Sequence, residues 1–199
     1  AFRIVEADVA DPAPDRLWRA LDAHPFVPDG PAKRSERCRE ILSMQVAALA
    51  QKLTGANQSR VVLGVSGGLD STLALLVAVK TMDLLGLPRS NVFAFTLPGF
   101  GTTQRTKSNA RGLCRALGVN LGQVSITRTL ESQLTDLEHG GREDVVFENV
   151  QARYRTGFLF NKANQVKAIV LGTGDLTEVA LGWSTFGGDH LSHYHVNAS

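Results

Sequence analysis

Three short apolar runs, Arg60 to Val65 (RVVLGV), Asn91 to Leu97 (NVFAFTL) and Ala168 to Leu171 (AIVL), are separated by longer segments with helical spacing of their apolar residues. Short continuous runs of Val, Ile, Leu and Phe are what strands covered on both faces show. Strands alternating with helices form βαβ units, which assemble into a parallel sheet with right-handed crossovers. The expected fold class is therefore α/β, a parallel doubly wound sheet with helices on both faces. Helices are expected over Ser35 to Leu53, Ser71 to Leu85, Thr103 to Leu117 and Val145 to Gln165, with a short one from Asp175 and a short strand at Val124 to Ile126. In the first helix Ile41, Met44, Ala48 and Leu49 recur at helical spacing with Leu42 and Val46 beside them, so it should lead into the core. Sheets of this kind bind ligands at the carboxyl ends of their strands. The loops opening at Ser66, Pro98 and Thr173 should then converge on one site.

The 199 residues, 43% hydrophobic and 20% charged, suffice for one well-buried domain. Residues 1–33 carry Pro12, Pro14, Pro25, Pro28 and Pro31 and read as a connector with one short helix near Asp15 to Ala23. The chain starts inside what reads as a strand, Phe2 to Val5, and stops at Ser199 without a closing element. The expectation is a piece of a longer protein: residues 1–33 connect from an N-terminal domain, and residues 34–199 form a nucleotide-handling domain cut at its C-terminal end. A formal net charge of +2 is too weak a bias for a dedicated nucleic-acid binder. No run approaches the roughly 18 apolar residues of a membrane span, and AFRIVEADV lacks the basic-then-apolar order of a secretory signal. The chain is expected to be soluble and cytoplasmic, with neither membrane nor nucleic acid as partner. Cys38 and Cys114 fall in helices, outside any metal-ligand spacing, and read as reduced thiols.

The segment Gly64-Val65-Ser66-Gly67-Gly68-Leu69-Asp70-Ser71 leaves a strand and enters a helix. Consecutive backbone amides at the positive end of a helix make an anion cradle. Gly67 and Gly68 let a phosphate touch the backbone, and Ser66 and Ser71 add hydroxyl donors. Asp70 would repel phosphate unless a divalent cation lay between them, which argues for Mg²⁺. The loop is neither a Walker loop nor a GxGxxG turn. The bland alternative is a Gly-Gly turn with Asp70 and Ser71 as helix caps.

This loop resembles the SGGxDS loop of the ATP pyrophosphatase superfamily, whose members cleave ATP between the α and β phosphates. Glu148 to Arg153 (ENVQAR), Gly172 to Glu178 (GTGDLTE) and Leu181 to Phe186 (LGWSTF) are similar to segments of NAD synthetases, in particular the glutamine-dependent kind. The likeness runs from about Val61 to Asn197 and takes in Leu97 to Phe100 and Thr106 to Ala110. It implies an adenine nucleotide alpha hydrolase-like, Rossmann-like fold and a ligase that amidates deamido-NAD through an adenylated carboxylate, releasing AMP and pyrophosphate. Gly64, Val65, Ser66, Gly67, Gly68, Leu69, Asp70, Ser71 and Thr173 would contact ATP. Asn149, Arg153, Glu178, Trp183, Ser184, Thr185, Phe186 and Asp189 would contact deamido-NAD. Asp70 and Glu178 would act in catalysis as the Mg²⁺ ligands. Ammonia would come free or from a glutaminase domain outside this chain, and the protein would be a homo-oligomer.

Each side chain has a plainer alternative. Glu178 could be a solvated carboxylate, Arg153 and Arg155 surface charge, and Trp183 core. His190, His193 and His195 have no i, i+4 pair on a helix, so a structural metal is not expected there. The chain departs from the family in two places: a shorter loop between Leu134 and Glu148, and Gly187-Gly188-Asp189 where the family has GVGD, which puts the role of Asp189 in question. Two other readings fit the same loop: another amidating or thiolating ATP pyrophosphatase ligase, and a noncatalytic adenine-nucleotide sensor. The pairing of Asp70 with Glu178 argues against the sensor, and the lack of catalytic cysteines or a basic appendage argues against a tRNA enzyme.

Overall fold

A computed structural model describes residues 22, 24–101 and 104–198. The expected strand at Phe2 to Val5 and helix near Asp15 to Ala23 lie outside the described residues, apart from Asp22. The chain divides into two units, Ala1–Arg39 and Glu40–Ser199. In the first, a turn is closed by the Val27 amide donating to the His24 carbonyl at 2.9 Å, after which helix α1 (Pro31–Gly55) begins.

The second unit holds the rest of α1 and then alternates: β1 (Val61–Gly64), α2 (Leu69–Leu84), β2 (Val92–Thr96), α3 (Gln104–Leu117), β3 (Leu121–Gln123), α4 (Thr127–Asp136), α5 (Val145–Val166), β4 (Ile169–Asp175), α6 (Leu176–Leu181) and β5 (Tyr194–Asn197). All pairings are parallel, in the order β3-β2-β1-β4-β5. The two-residue period of the strands sorts the core onto two faces. Val61, Leu63, Val92, Ala94, Ile169 and Leu171 pack with α1, α2 and α3. Val62, Val170, Phe93 and Phe95 pack with Leu159, Phe160 and Ala163 of α5. Leu97, Ile126, Leu130 and Val150 extend that second layer through α4. The doubly wound sheet is as expected.

Four local expectations change. The third strand is Leu121–Gln123, not Val124 to Ile126. Val124 only continues the pairing, its amide donating to the Thr96 carbonyl at 3.1 Å, and Ile126 is fully buried as the N-cap of α4, a helix the apolar spacing did not reveal. In α1 the buried stripe is Val46, Leu49, Ala50 and Leu53 with Leu42 beside it, while Ile41 and Met44 are exposed. Both stripes have helical spacing; the one through Ile41, Met44 and Ala48 runs on to Lys52, whereas the buried one closes on Leu53. Tyr194–Asn197 is also a strand, the fifth, paired with β4 where none was expected. Finally, α2 starts at Leu69, two residues before the expected Ser71, so the loop itself supplies the helix's first turn.

Candidate active site

From β1 the chain steps outward to β2 and β3 on one side and to β4 and β5 on the other, so the order reverses between β1 and β4. A crevice opens at the carboxyl ends of strands at such a point. Here it lies between the Ser66 loop and the Thr173 loop.

Gly67 has a φ of 87°, a left-handed value that a residue with a Cβ resists. The loop holds itself in shape. The Ser66 amide donates to Ser71 Oγ at 3.2 Å, the two hydroxyls lie 3.0 Å apart, the Gly68 amide donates to Ser66 Oγ at 3.2 Å, and Ser71 Oγ donates to the Gly68 carbonyl at 3.2 Å. The N-cap of α2 is Gly68, with no side-chain cap bond. Asp70 and Ser71 are therefore not the caps of the plain alternative. The first-turn amides of α2 have no intrahelical partners, and Asp70 stands exposed on that turn.

Across the crevice, a bulge between Gly172 and Asp175 breaks the pairing of β4 with β5 and presents Thr173 and Gly174. A Cβ at Gly172 would run into the His195 imidazole and the Ser192 hydroxyl, so glycine is required by close packing. Asp175 and Glu178 form a capping box: Asp175 Oδ1 accepts from the Glu178 amide at 2.8 Å and Glu178 Oε2 accepts from the Asp175 amide at 3.0 Å. Glu178 is thus neither simply solvated nor fully occupied. One feature of the crevice had no signal in the sequence. Asn197 Nδ2, arriving on β5, donates to the Asp70 carbonyl at 3.1 Å and to the Thr173 carbonyl at 3.0 Å. It ties the two loops together.

A third group comes from α5, whose N-cap Asp144 accepts from the Val146 and Phe147 amides. Thr185 Oγ1 donates to Asn149 Oδ1 at 3.0 Å, and Arg153 Nε donates to the Phe186 carbonyl at 3.0 Å. Asp189 Oδ1 accepts from the Thr185 amide at 2.7 Å. Asn149, Arg153, Thr185, Phe186 and Asp189 therefore form one connected layer. The Phe186 ring stacks on His190 at 5.7 Å. Trp183 is 78% exposed and Phe186 85%, so Trp183 is not the core residue of the plain alternative.

Two cavities result. One, about 460 Å³, is lined by Gly64, Val65, Ser66 and Ser71, by Thr96 to Pro98, by Ala152, Arg155 and Thr156 of α5, and by Thr173 and Asp189. The loops opening at Ser66, Pro98 and Thr173 do converge. The other, about 420 Å³, is lined by Asp175, Glu178, Ser184, His190 and His195, and again by Thr173 and Asp189. The cavities therefore share a wall. Trp183, Phe186, Asn149, Arg153 and Asp70 line neither. Arg155 does line the first: its Nε donates to the Leu97 carbonyl at 3.2 Å. Burial pushes its pKa below the usual guanidinium value while the Asp189 carboxylate pulls it up. Reading it as surface charge is wrong, since a helical arginine's surroundings depend on which face meets the sheet. The histidines serve the backbone: His190 Nδ1 meets the Thr185 carbonyl at 2.7 Å, His193 Nδ1 accepts from the Val170 amide at 2.9 Å, and His195 Nε2 meets the His190 carbonyl at 2.9 Å.

The family model described as NAD synthase matches residues 41–194. The glutamine-dependent NAD(+) synthetase of Mycobacterium leprae is 50% identical over 204 residues, taking in 99% of this chain and 30% of that protein. Among solved structures, the glutamine-dependent NAD+ synthetase from Acinetobacter baumannii in complex with ADP matches with a TM-score of 0.75 at 30% identity, covering 81% of this chain and 30% of that one. The NMN synthetase from Francisella tularensis matches with a TM-score of 0.73 at 28% identity, covering 81% of this chain and 64% of that one. The chain spans about 30% of the length of the curated M. leprae relative. With the doubly wound sheet and the phosphate loop in place, these matches establish that the chain belongs to the NAD synthase family.

Proposed function

We propose that this chain is the synthetase domain that amidates deamido-NAD to NAD at the expense of ATP. The observation that carries the reading is the pair of cavities sharing Thr173 and Asp189, one walled by the phosphate loop and the other by Glu178 and Ser184. Two nucleotides held in these neighbouring cavities would both border Thr173 and Asp189, where the reaction requires their reacting ends to be. A carboxylate is a poor acylating agent. One of its oxygens attacks the α-phosphorus of ATP, the bond to the β-phosphate bridging oxygen breaks, and the electron pair leaves with pyrophosphate. Ammonia then adds to the acyl carbon, the carbon–oxygen bond to AMP breaks, and the nitrogen sheds one proton to water. The nucleophiles need no general base, so the protein's work is positioning and charge stabilisation.

In this reading Gly64 to Ser71 and Thr173 hold ATP, the Ser66 and Ser71 hydroxyls exchanging their mutual bond for phosphate oxygens. Asn149, Arg153, Glu178, Trp183, Ser184, Thr185, Phe186 and Asp189 hold deamido-NAD. The donor set suits Mg²⁺: Asp70 offers an exposed carboxylate at the phosphate end of α2, and Glu178 keeps one oxygen beyond its capping bond. Among the described residues no group of three or more His, Cys, Asp or Glu could hold a metal. Mg²⁺ at such a site is held through one or two carboxylates and substrate phosphates rather than by an all-protein cage. When bound, Mg²⁺ supplies neutralisation of the phosphate charge that Asp70 would otherwise repel.

We also propose that residues 34–199 are the synthetase domain and residues 1–33 a connector from a glutaminase domain that delivers ammonia, in a cytoplasmic homo-oligomer without nucleic-acid or membrane partners. No helix among the described residues is long and apolar enough to cross a membrane. The test is pyrophosphate release from ATP and Mg²⁺ with ammonium, in the presence and absence of deamido-NAD, with nicotinate mononucleotide in parallel because one structural relative is an NMN synthetase. Release that requires deamido-NAD is expected. Release with the mononucleotide alone would replace the substrate, and none with either would refute the reading.

A further inference from the structure

Arg155 is the one basic side chain among the described residues lining the phosphate-loop cavity, and Asp189 the one acidic. It reaches that wall from the third turn of α5, half-buried. Its Nε is taken by the Leu97 carbonyl at the end of β2. Among the described residues no hydrogen bond takes its terminal nitrogens and no ion pair within 4.0 Å joins it to Asp189. A guanidinium drawn this far out of water, with one neutral hydrogen bond and a carboxylate at a distance, is incompletely compensated. Such a cation is suited to an anion arriving in the cavity, and a planar fork matches two phosphate oxygens at once. Ser66 and Ser71 line the same cavity, and Thr173 and Asp189 line both cavities. A phosphorus between the loop's pyrophosphate and the incoming carboxylate belongs beside those two shared residues. Arg153, two residues earlier, lines neither cavity and spends its Nε on the Phe186 carbonyl.

We propose that Arg155 is a catalytic residue of the adenylation step, its guanidinium holding the non-bridging oxygens of the α-phosphate as the carboxylate attacks and pyrophosphate leaves. No proton moves to or from Arg155; its fixed charge meets the charge that gathers on those oxygens in the transition state and remains on AMP. The assignment rests on the proposed adenylation for its catalytic role, but its contact with a 5′-phosphate can be tested without it.

The probes are AMP and adenosine, titrated calorimetrically into the chain and into its Arg155→Met and Arg155→Lys variants. The unsubstituted chain should bind AMP more tightly than adenosine. Arg155→Met should lose about tenfold or more of that preference, a loss of about 1.4 kcal/mol, with adenosine affinity little changed, and Arg155→Lys should keep part of it. An unchanged preference in a folded Arg155→Met, a parallel fall for both ligands, or no AMP preference in the unsubstituted chain would each overturn the assignment. Exchange of labelled pyrophosphate into ATP, dependent on deamido-NAD and Mg²⁺, should fall about 10²-fold in Arg155→Met and be partly restored by added ethylguanidinium. If the unsubstituted chain shows no such exchange, the substrate reading fails, and the AMP preference still decides the phosphate contact.

Discussion

Trp183 is 78% exposed on the turn after α6, its amide donating to the Glu178 carbonyl at 2.9 Å where Gly182 closes the helix in a left-handed conformation. A large aromatic left in water on a loop, rather than in the core, is available to a ligand or partner. The proposed role is an apolar wall for deamido-NAD. Exposure makes this a clean test, because truncation removes little packing. Trp183→Ala should melt within about 0.5 kcal/mol of the unsubstituted chain, as surface changes usually do. It should raise the Michaelis constant for deamido-NAD about tenfold while leaving that for ATP nearly unchanged, the signature of lost uniform binding to one substrate. Equal rises for both substrates, or none, would take Trp183 out of the pocket.

At the scale of elements, the start of α5 matters most, since Asn149 and Arg153 lie on its first turns. Asp144 Oδ1 accepts from the Val146 amide at 2.9 Å and the Phe147 amide at 3.2 Å, His139 Nε2 lies 2.8 Å away, and Arg142 Nε lies 3.7 Å from the other oxygen. Desolvation pushes its pKa up, but the Phe147 and Val146 amides and His139 outweigh it and hold the carboxyl below the usual value. A folded-state pKa depressed in this way gives stability that is present above the unfolded carboxylate's value of about 3.9 and lost as pH falls through the folded value. Asp144→Ala should therefore melt below the unsubstituted chain at neutral pH, and the gap should shrink below about pH 4. Parallel melts at the two pH values check this, and a gap independent of pH would contradict it. The elements also show what a sequence can disclose. β1, β2 and β4 are interior strands, so both faces are apolar and their runs stand out. β3 and β5 are edge strands: Leu121–Gln123 includes Gly122 and Gln123, and Tyr194–Asn197 includes His195 and Asn197, so neither carries a run. The phosphate loop was legible because its chemistry is local backbone chemistry. Arg155 and Asn197 were not, because what they touch, the Leu97, Asp70 and Thr173 carbonyls, is far away in the chain.

In the molecule as a whole, the reversal of strand order between β1 and β4 opens the crevice, α2 points its positive end at one side, and the β4 bulge with the Ser184 to Asp189 turn walls the other. Asn197 sets the spacing of the two sides by holding one carbonyl from each. A sheet built this way can bring a triphosphate and a carboxylate-bearing nucleotide together without a covalent attachment to the protein, and that direct meeting is the central claim. Oxygen transfer tests it. With ¹⁸O in the nicotinate carboxylate of deamido-NAD, and ATP, Mg²⁺ and ammonium supplied, attack of the carboxylate on the α-phosphorus followed by cleavage of the acyl carbon–oxygen bond must leave one labelled oxygen in AMP. Phosphorus NMR or mass spectrometry of the AMP should show that single label and none in the pyrophosphate. Unlabelled AMP, or label recovered in orthophosphate, would contradict the account.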